Sequence, residues 1–252
     1  MKFVRFSYGG PIAYGLLEDS NVRAIEGTPF TQYTPTDKLF ALDKVRLLEP
    51  AIPSKIIAVG LNYTDHAREL GMQMHEEPLI FLKPPSTIIG TDDDILYPDM
   101  SRQVEYEGEL AIVMKDIARH VSIEQAHERI LGYTCAVDVT ARDLQKKDGQ
   151  WTRAKSFDTF CPVGPCIATD IDPNNLKIEL RLNGEVKQSS NTSNMHFKPG
   201  HLVSFISHIM TLCPGDLILT GTPPGVGPMQ VGDVVELEIE GIGVLTDKVL
   251  KI

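Results

Sequence analysis

The sequence predicts a β-rich α+β fold in which a few helices pack on the strands. Short apolar or alternating runs, each bounded by Gly, Pro, Asn or Asp, recur along most of the chain. Few segments keep the spacing of an amphipathic helix. Asn183-Gly184 separates two strand-like runs and suits a type I′ hairpin turn. With 252 residues and 42% hydrophobic residues, the chain is long enough to bury its apolar surface without disulfides.

The first fifty residues predict short strands joined by tight turns. Strand-like runs cover residues 3–6, 13–17 and 22–25, and a polar segment follows at 31–38. Pro50 and Pro53 interrupt the pattern, since proline lacks the amide proton that a strand interior needs. We therefore place a domain boundary there, dividing the chain into residues 1–50 and 54–252.

A second pattern begins at Lys55. It opens with an apolar strand over 56–59 and a helix over 62–70, which Asn62 or Thr64 would cap and Gly71 would end. Further strands are expected at 79–82, 95–96 and 108–114.

The remaining elements follow the same signals. Ser122 and Gln125 form a capping box that begins a helix over 122–131. A buried strand is expected at 133–139, and the Asn-Gly hairpin joins 176–182 to 185–188. Residues 202, 205, 206 and 209 keep helical spacing, and strands are expected at 216–220 and 234–250.

Composition excludes several classes of protein. The 24 basic and 34 acidic residues give a net charge of −10, which argues against a nucleic-acid track and an anionic membrane surface. No apolar run reaches membrane-spanning length, and the first residues lack the apolar core of a signal peptide. We expect a cytoplasmic protein. The four cysteines form no C-x-x-C pair and are expected to be reduced and partly buried.

Three glutamates at alternate positions are the most informative feature. Glu105, Glu107 and Glu109 precede an apolar strand, where side chains two apart share a face. Like charges so placed repel, and a hard divalent cation such as Mg²⁺ or Mn²⁺ would convert that repulsion into binding. The alternative is an ordinary solvated strand face.

A second acidic motif follows at Asp138, which interrupts the apolar strand over 133–139. A buried aspartate is costly unless it is paired or binds a metal. With Glu107 and Glu109 it would complete three oxygen ligands. The alternative is that Asp138 caps a turn and pairs with Arg142, whereas Asp143 is expected to be solvated.

Three other segments carry candidate chemistry. His66 and Glu69 lie three apart on the expected helix, so the carboxylate can orient the imidazole as a general base. Lys155 lies near a Pro/Gly turn and can hold a substrate carboxylate. The loop over 220–227 offers backbone amides and the Thr222 hydroxyl to an anion. Each also has an ordinary alternative: a surface contact, a solvated lysine or a structural turn. The other six histidines show no metal-ligand spacing and are expected at the surface or in packing.

Six motifs in this order resemble the fumarylacetoacetate hydrolase family, over residue 54 to the C-terminus. They are Asn62-Tyr63 with His66 and Glu69; Phe81-Leu82-Lys83-Pro84; Tyr106-Glu107-Gly108-Glu109-Leu110; Asp138 with Ala141-Arg142-Asp143 and Gln145; Lys155-Ser156-Phe157-Asp158; and Pro214-Gly215-Asp216 with Thr220-Gly221-Thr222-Pro223 and Gly225-Val226-Gly227.

The resemblance implies a mixed β-sandwich roll, a small N-terminal β domain over residues 1–50, a homodimer, and Mg²⁺ or Mn²⁺. It implies that Glu107, Glu109 and Asp138 are metal ligands, whereas Glu105 matches no ligand position. The family's longer hydrolase has one further aspartate upstream of the histidine, which has no counterpart here. By the same resemblance, His66, Glu69 and Lys155 are catalytic, and Arg142, Gln145 and Thr222 contact substrate.

The resemblance leaves several reactions open on a small anionic 2-oxo acid. The first is hydrolysis of a carbon–carbon bond in a β-diketo acid of the acylpyruvate type, with water activated by the His-Glu pair. The second is decarboxylation of oxaloacetate. The third is isomerisation of 5-carboxymethyl-2-hydroxymuconate or 2-hydroxyhepta-2,4-dienedioate. A relative that has lost its chemistry is the non-enzymatic alternative, against which the complete set of motifs counts.

Overall fold

A computed structural model describes residues 1–251, and twenty strands and five α-helices form there. The strands are β1 (Lys2–Ser7), β2 (Ala13–Glu18), β3 (Asn21–Gly27), β4 (Tyr33–Ala41), β5 (Arg46–Leu48), β6 (Ile56–Gly60), β7 (Leu79–Lys83), β8 (Ile88–Ile89), β9 (Asp94–Tyr97), β10 (Val104–Tyr106), β11 (Gly108–Met114), β12 (Ile130–Val137), β13 (Thr140–Ala141), β14 (Cys161–Ala168), β15 (Lys177–Leu182), β16 (Glu185–Asn191), β17 (Leu217–Leu219), β18 (Gly227–Pro228), β19 (Val234–Ile239) and β20 (Gly243–Lys251). The helices are α1 (Thr64–Leu70), α2 (Ile123–Glu128), α3 (Arg142–Asp148), α4 (Thr152–Lys155) and α5 (Pro199–Ile209). The predicted β-rich α+β class is confirmed.

The strands form three sheets. The largest has the order β4-β3-β2-β1-β14-β12-β11-β17-β6-β7, with β5 paired to β1 and β8 paired to β14. A second sheet has the order β16-β15-β19-β20-β9, and a third has the order β13-β10-β18. Strands β1 to β4 continue the largest sheet through the β1–β14 pairing, and the division into domains at residues 50–54 stays a prediction.

The two faces of the largest sheet fill separate hydrophobic cores. On β11, Leu110 and Ile112 enter one core, whereas Ala111 and Val113 enter the other. This alternation follows from the two-residue period of a strand. Glu109 continues the row of Ala111 and Val113, so its carboxylate emerges on the face of the second core.

Close packing of two sheets explains a glycine beside the acidic motif. A Cβ atom at Gly108 would lie 2.8 Å from Leu237 Cδ1 and 3.0 Å from Leu180 Cδ1, on strands of the five-stranded sheet. Such distances lie below normal van der Waals contact, so any side chain here would push the sheets apart. Gly108 therefore lets β11 approach them while Glu107 and Glu109 flank it.

Several local predictions are confirmed. Ser122 and Gln125 form the capping box at the start of α2. Gly71 ends α1 in the left-handed conformation, with φ of 65°. Asn183 and Gly184 both have positive φ, as the type I′ hairpin between β15 and β16 requires. All four cysteines are free, and three of them are buried.

Other boundaries were predicted wrongly. The polar segment over 31–38 contains most of β4, which pairs with β3 along its length; pairing satisfies its backbone although its side chains are largely exposed. The helix over 122–131 ends at Glu128, and β12 takes over at Ile130. Strand 133–139 ends at Val137, so Asp138 follows the strand and does not interrupt it. Helices α3 and α4 were not predicted. None of the helices described in residues 1–251 is long and apolar enough to span a membrane.

Candidate active site

Three carboxylates meet where β11 begins and β12 ends. Glu109 lies on β11, Glu107 lies just before it, and the Asp138 backbone N–H donates to the Glu107 carbonyl at 2.8 Å. One oxygen from each carboxylate lies within 4.8 Å of the others, and all three residues are buried. Three clustered carboxylate oxygens are the donor set that Mg²⁺ and Mn²⁺ prefer. These residues therefore fit the divalent metal that the sequence implies.

Two buried lysines contact this cluster. Lys155 Nζ lies 2.6 Å from Asp138 Oδ2 and 2.9 Å from Glu107 Oε2. Lys83 Nζ lies 2.7 Å from Asp138 Oδ1 and donates to the Val139 carbonyl at 3.2 Å. Lys83 belongs to one of the six sequence motifs, but we assigned it no role from the sequence. Its burial follows from the packing of β7 against the segment after β12.

Arg142 connects Glu105, which matches no metal-ligand position, to the carboxylate cluster. Its Nε donates to Glu105 Oε2 at 2.7 Å, its Nη2 donates to Glu107, and its Nη1 donates to Gln145 Oε1 at 2.6 Å. The alternative in which Arg142 pairs with Asp138 is therefore wrong, because Arg142 begins α3 and reaches back toward β10. Glu105 is a partner of the site through this arginine.

The charges of the cluster are unevenly balanced. Burial raises the pKa of Glu107, but the nearby Lys155 and Arg142 outweigh it and lower that pKa to about 2. Burial, with Asp138 and Glu107 adding repulsion, raises the pKa of Glu109 well above its usual value. The Gly221 backbone N–H donates to Glu109 Oε2 at 2.6 Å. Glu109 is thus the carboxylate whose charge the surrounding lysines and arginine offset least, and a bound cation would offset it.

The paired histidine and glutamate of α1 are in contact. His66 Nδ1 lies 2.9 Å from Glu69 Oε2, and the Gly225 backbone N–H donates to Glu69 Oε1 at 3.1 Å. The His66 side chain is 12% exposed, against 44% for Glu69. A glutamate held by Gly225 fixes the imidazole, which leaves Nε2 as the nitrogen free to accept a proton.

The start of α1 differs from the prediction. Tyr63 occupies the N-cap position, and neither Asn62 nor Thr64 caps the helix with its side chain. Asn62 is instead fully buried, donates to the Phe197 and Thr220 carbonyls, and accepts from the Phe197 N–H. Its side chain is needed to anchor α1 to distant segments, which local spacing cannot reveal.

We expected Asp143 to be solvated, but its carboxylate is engaged by the protein. It accepts hydrogen bonds from the Ser101 hydroxyl at 2.6 Å and from the Arg102 N–H at 2.9 Å. These bonds tie the start of α3 to the segment before β10, which carries Glu105. Asp143 therefore helps to hold α3 in place, and with it Arg142.

The loop after β17 binds groups of the chain itself. Thr222 lines the cavity, but its hydroxyl donates to the Gly108 carbonyl at 3.0 Å and accepts from Gln188 Nε2 at 2.8 Å. The Gly221 and Gly225 amides donate to Glu109 and Glu69. The anions that this loop receives in the structure are therefore the protein's own carboxylates.

One cavity of about 430 Å³ gathers most of these groups. Seven of the nine predicted site residues line it: His66, Glu107, Glu109, Arg142, Gln145, Lys155 and Thr222. Glu69 joins through His66, and Asp138 joins through Lys155. Much of the remaining lining is apolar, which the sequence did not indicate. His75, which we expected at the surface or in packing, also lines the cavity. The individual roles of the nine residues stay predictions.

The chain matches two protein families. Residues 55–250 match the fumarylacetoacetate (FAA) hydrolase C-terminal family, and residues 1–50 match the Rv2993c-like, N-terminal family. Among curated proteins, oxaloacetate tautomerase FAHD2A of Bos taurus is 45% identical over 220 residues, which cover 82% of this chain and 70% of that protein.

Solved structures resemble the whole chain. A 2-hydroxyhepta-2,4-diene-1,7-dioate isomerase from Mycobacterium marinum has a TM-score of 0.93 and 46% identity, covering 100% of this chain and 98% of that one. Maleylpyruvate hydrolase from Sphingobium sp. SYK-6, in complex with manganese(II) and pyruvate, has a TM-score of 0.83 and 29% identity, covering 100% and 99%.

Proposed function

The chain belongs to the fumarylacetoacetate hydrolase family, and on that premise we propose that it is a divalent-metal-dependent enzyme that interconverts the keto and enol forms of a 2-oxo acid. The observation that carries this proposal is a single cavity lined by carboxylates of the cluster and by a histidine oriented as a base. Related tautomerases and isomerases are 44–46% identical to this chain. Proton transfer to and from a 2-oxo acid needs a group that polarises the 2-oxo oxygen, here the metal that the carboxylates would bind, and a base, here His66.

Glu107, Glu109 and Asp138 would hold Mg²⁺ or Mn²⁺. The bound metal would supply a Lewis acid that polarises the 2-oxo group and acidifies the neighbouring carbon, C3. The three carboxylates would also position the substrate beside His66, because a fixed ion fixes the oxygens that it binds.

His66 would move the proton. Its Nδ1 lies 2.9 Å from Glu69 Oε2, which leaves Nε2 as the nitrogen that would act as the base. Nε2 accepts a proton from C3, the electron pair forms the C2–C3 double bond, and a proton returns to the oxygen on C2. Lys155, Arg142 and Gln145 would bind the substrate carboxylate and the developing negative charge, and Thr222, whose hydroxyl is engaged with Gly108 and Gln188, would border the substrate.

The test is the rate at which oxaloacetate enol is converted to its keto form, followed by ultraviolet absorbance with Mg²⁺ present. We expect His66→Asn to lower kcat by about 10²–10⁴-fold, the usual contribution of a general base. His208→Asn is the matched control, since His208 is an exposed histidine on α5. Normal turnover by His66→Asn would sink the assignment of the base.

Hydrolysis of a β-diketo acid is the second candidate. The relative that supports it is the maleylpyruvate hydrolase, whose structure holds manganese and pyruvate. In that reaction His66, oriented by Glu69, activates water to attack the distal carbonyl. Release of pyruvate from an acylpyruvate would select hydrolysis, and release of pyruvate with CO₂ from oxaloacetate would select decarboxylation. A spectral change in oxaloacetate without pyruvate selects the tautomerase.

A further inference from the structure

Five of the apolar side chains that line the same cavity as the carboxylates form what we call the apolar wall. Three elements supply them, namely the end of α1 with the loop after it, the strand β7, and the residue that precedes α4. They are Leu70, Met72, Leu79, Phe81 and Trp151. Leu70, Met72 and Leu79 are 52%, 51% and 42% exposed, so part of the wall is open to solvent and to a ligand.

The two aromatic members of the wall pack against each other. The rings of Phe81 and Trp151 meet edge to face, with centroids 5.1 Å apart and planes at 76°. A Cβ atom at Gly60 would lie 3.1 Å from the Trp151 indole, so the glycine leaves room for that ring. Lys155 Nζ lies 5.0 Å from the centre of the Phe81 ring. The wall therefore begins directly beside the lysine that contacts the carboxylate cluster.

Two of the positive charges that line the cavity are already paired with carboxylates. Lys155 and Arg142 are engaged with carboxylates of the cluster. The further basic groups in the lining, besides His66, are Lys146 and His75, and Lys146 is exposed. A second carboxylate of the substrate, far from the 2-oxo group, would lie against the wall and lose its hydration, unless Lys146 or His75 reached it.

The size of the cavity points in the same direction. Its 430 Å³ lies within the range of about 300–1,000 Å³ that holds a drug-sized ligand, and a four-carbon acid fills only part of it. Oxaloacetate carries its second carboxylate on C3, next to the reacting atoms, and has no hydrocarbon tail to place against the wall. A longer substrate would extend along Phe81 and Trp151.

Building on the proposed function, we propose that the apolar wall binds the uncharged hydrocarbon end of a 2-oxo acid. The site would therefore prefer 2-oxo acids with an alkyl or aryl tail over acids of equal length that end in a second carboxylate. Burial of the tail against five apolar side chains supplies the attraction, and desolvation of a carboxylate there supplies the discrimination.

Binding is measured directly, because Trp151 is the single tryptophan of the chain. Its fluorescence is followed while the full-length protein with Mg²⁺ is titrated with 2-oxohexanoate or with 2-oxoadipate, two six-carbon acids. We expect 2-oxohexanoate to bind at least about tenfold more tightly, the discrimination that one apolar contact region provides. Equal affinities, or tighter binding of 2-oxoadipate, would overturn the proposal.

A matched pair of variants tests the wall itself. Leu79 faces the cavity, whereas Leu82 lies on the same strand, is 49% exposed and borders a different pocket. Leu79→Lys should shift the affinity ratio toward 2-oxoadipate by about tenfold, and Leu82→Lys should leave it unchanged. An unchanged ratio in Leu79→Lys, or an equal shift in both variants, would contradict the proposal. So would a wild-type preference for 2-oxoadipate that Lys146→Met removes.

A separate measurement keeps the two proposals apart. Exchange of the C3 hydrogens with D₂O, followed by proton NMR for oxaloacetate and 2-oxohexanoate, reports proton transfer alone. Absence of exchange in both acids would overturn the proposed function, while the fluorescence titration would still decide on the wall. Exchange of both acids combined with equal affinities would overturn the wall and leave the proposed function standing.

Discussion

Replacement of Glu109 by glutamine removes one charge from the carboxylate cluster and keeps nearly the same shape. Glu109 is 1% exposed, and the Gly221 N–H donates to it at 2.6 Å. The glutamine carbonyl can accept that bond. Burial raises the pKa of the wild-type carboxylate, and repulsion from Asp138 and Glu107 raises it further. The variant therefore loses an unfavourable interaction in the metal-free protein and loses a ligand in the metal-bound protein.

The two effects have opposite signs, and each has a magnitude. A buried polar group whose charge is poorly compensated costs about 1–3 kcal/mol, so Glu109→Gln should raise the free energy of unfolding by about that much in EDTA. A metal at 1,000 times its Kd adds about 4 kcal/mol to a protein that binds it. If the variant no longer binds, wild type should then be the more stable protein by about 1–3 kcal/mol.

Urea unfolding of wild type and of Glu109→Gln, each in EDTA and in saturating Mn²⁺, measures both effects. The expected result is a crossing, with the variant more stable in EDTA and wild type more stable in saturating metal. Glu179→Gln is the control for loss of a carboxylate elsewhere, because Glu179 is a largely buried glutamate that pairs with Lys177 and Arg181 away from the site. Destabilisation of Glu109→Gln in EDTA, or an undiminished response to metal, would refute the reasoning.

Three further predictions follow from single side chains. Glu105→Gln removes one of the two carboxylates that pair with Arg142, so Arg142 interacts more strongly with Glu107 and competes with a bound metal. The Kd for Mn²⁺ measured by calorimetry should therefore rise about tenfold, whereas Glu179→Gln should leave it unchanged. Burial raises the pKa of Asp247. The stability that this group contributes is therefore present at low pH and is lost as the pH rises above about 3.9 toward the raised pKa. In urea unfolding, Asp247→Asn should raise the free energy of unfolding by about 1–3 kcal/mol at pH 8 and scarcely at pH 3, because Asp247 Oδ1 is buried without a hydrogen-bond partner among residues 1–251. Asn62→Ala should lower the free energy of unfolding by about 2–4 kcal/mol, since it breaks three buried hydrogen bonds; a change below about 1 kcal/mol would contradict that account.

Local signals predicted those parts of the fold whose cause is local. The Asn183-Gly184 hairpin and the capping box at Ser122 depend on residues a few positions apart, and both formed as expected. The strand β4 lacks an apolar pattern of its own, because pairing with β3 holds it. Helix α3 also lacked a recognisable start, since Ala141 precedes it without a side-chain cap.

The sequence by itself determined the chemical character of the site. Alternating glutamates, an aspartate near the end of an apolar strand, and a histidine three residues before a glutamate identify groups that suit a divalent metal and a base. These inferences need only the period of a strand or helix and the cost of burying charge. The order of six motifs then identified the family, which the family match over residues 55–250 confirms.

The tertiary structure alone decided how these groups are paired and what surrounds them. It placed Lys83 on Asp138 and Arg142 between Glu105 and Glu107, and it brought an apolar wall into the same cavity as the cluster. The physical reason is that a charge finds its partner by packing between segments dozens of residues apart, which local periodicity does not encode. Which side chains share one cavity is likewise a property of the folded sheets.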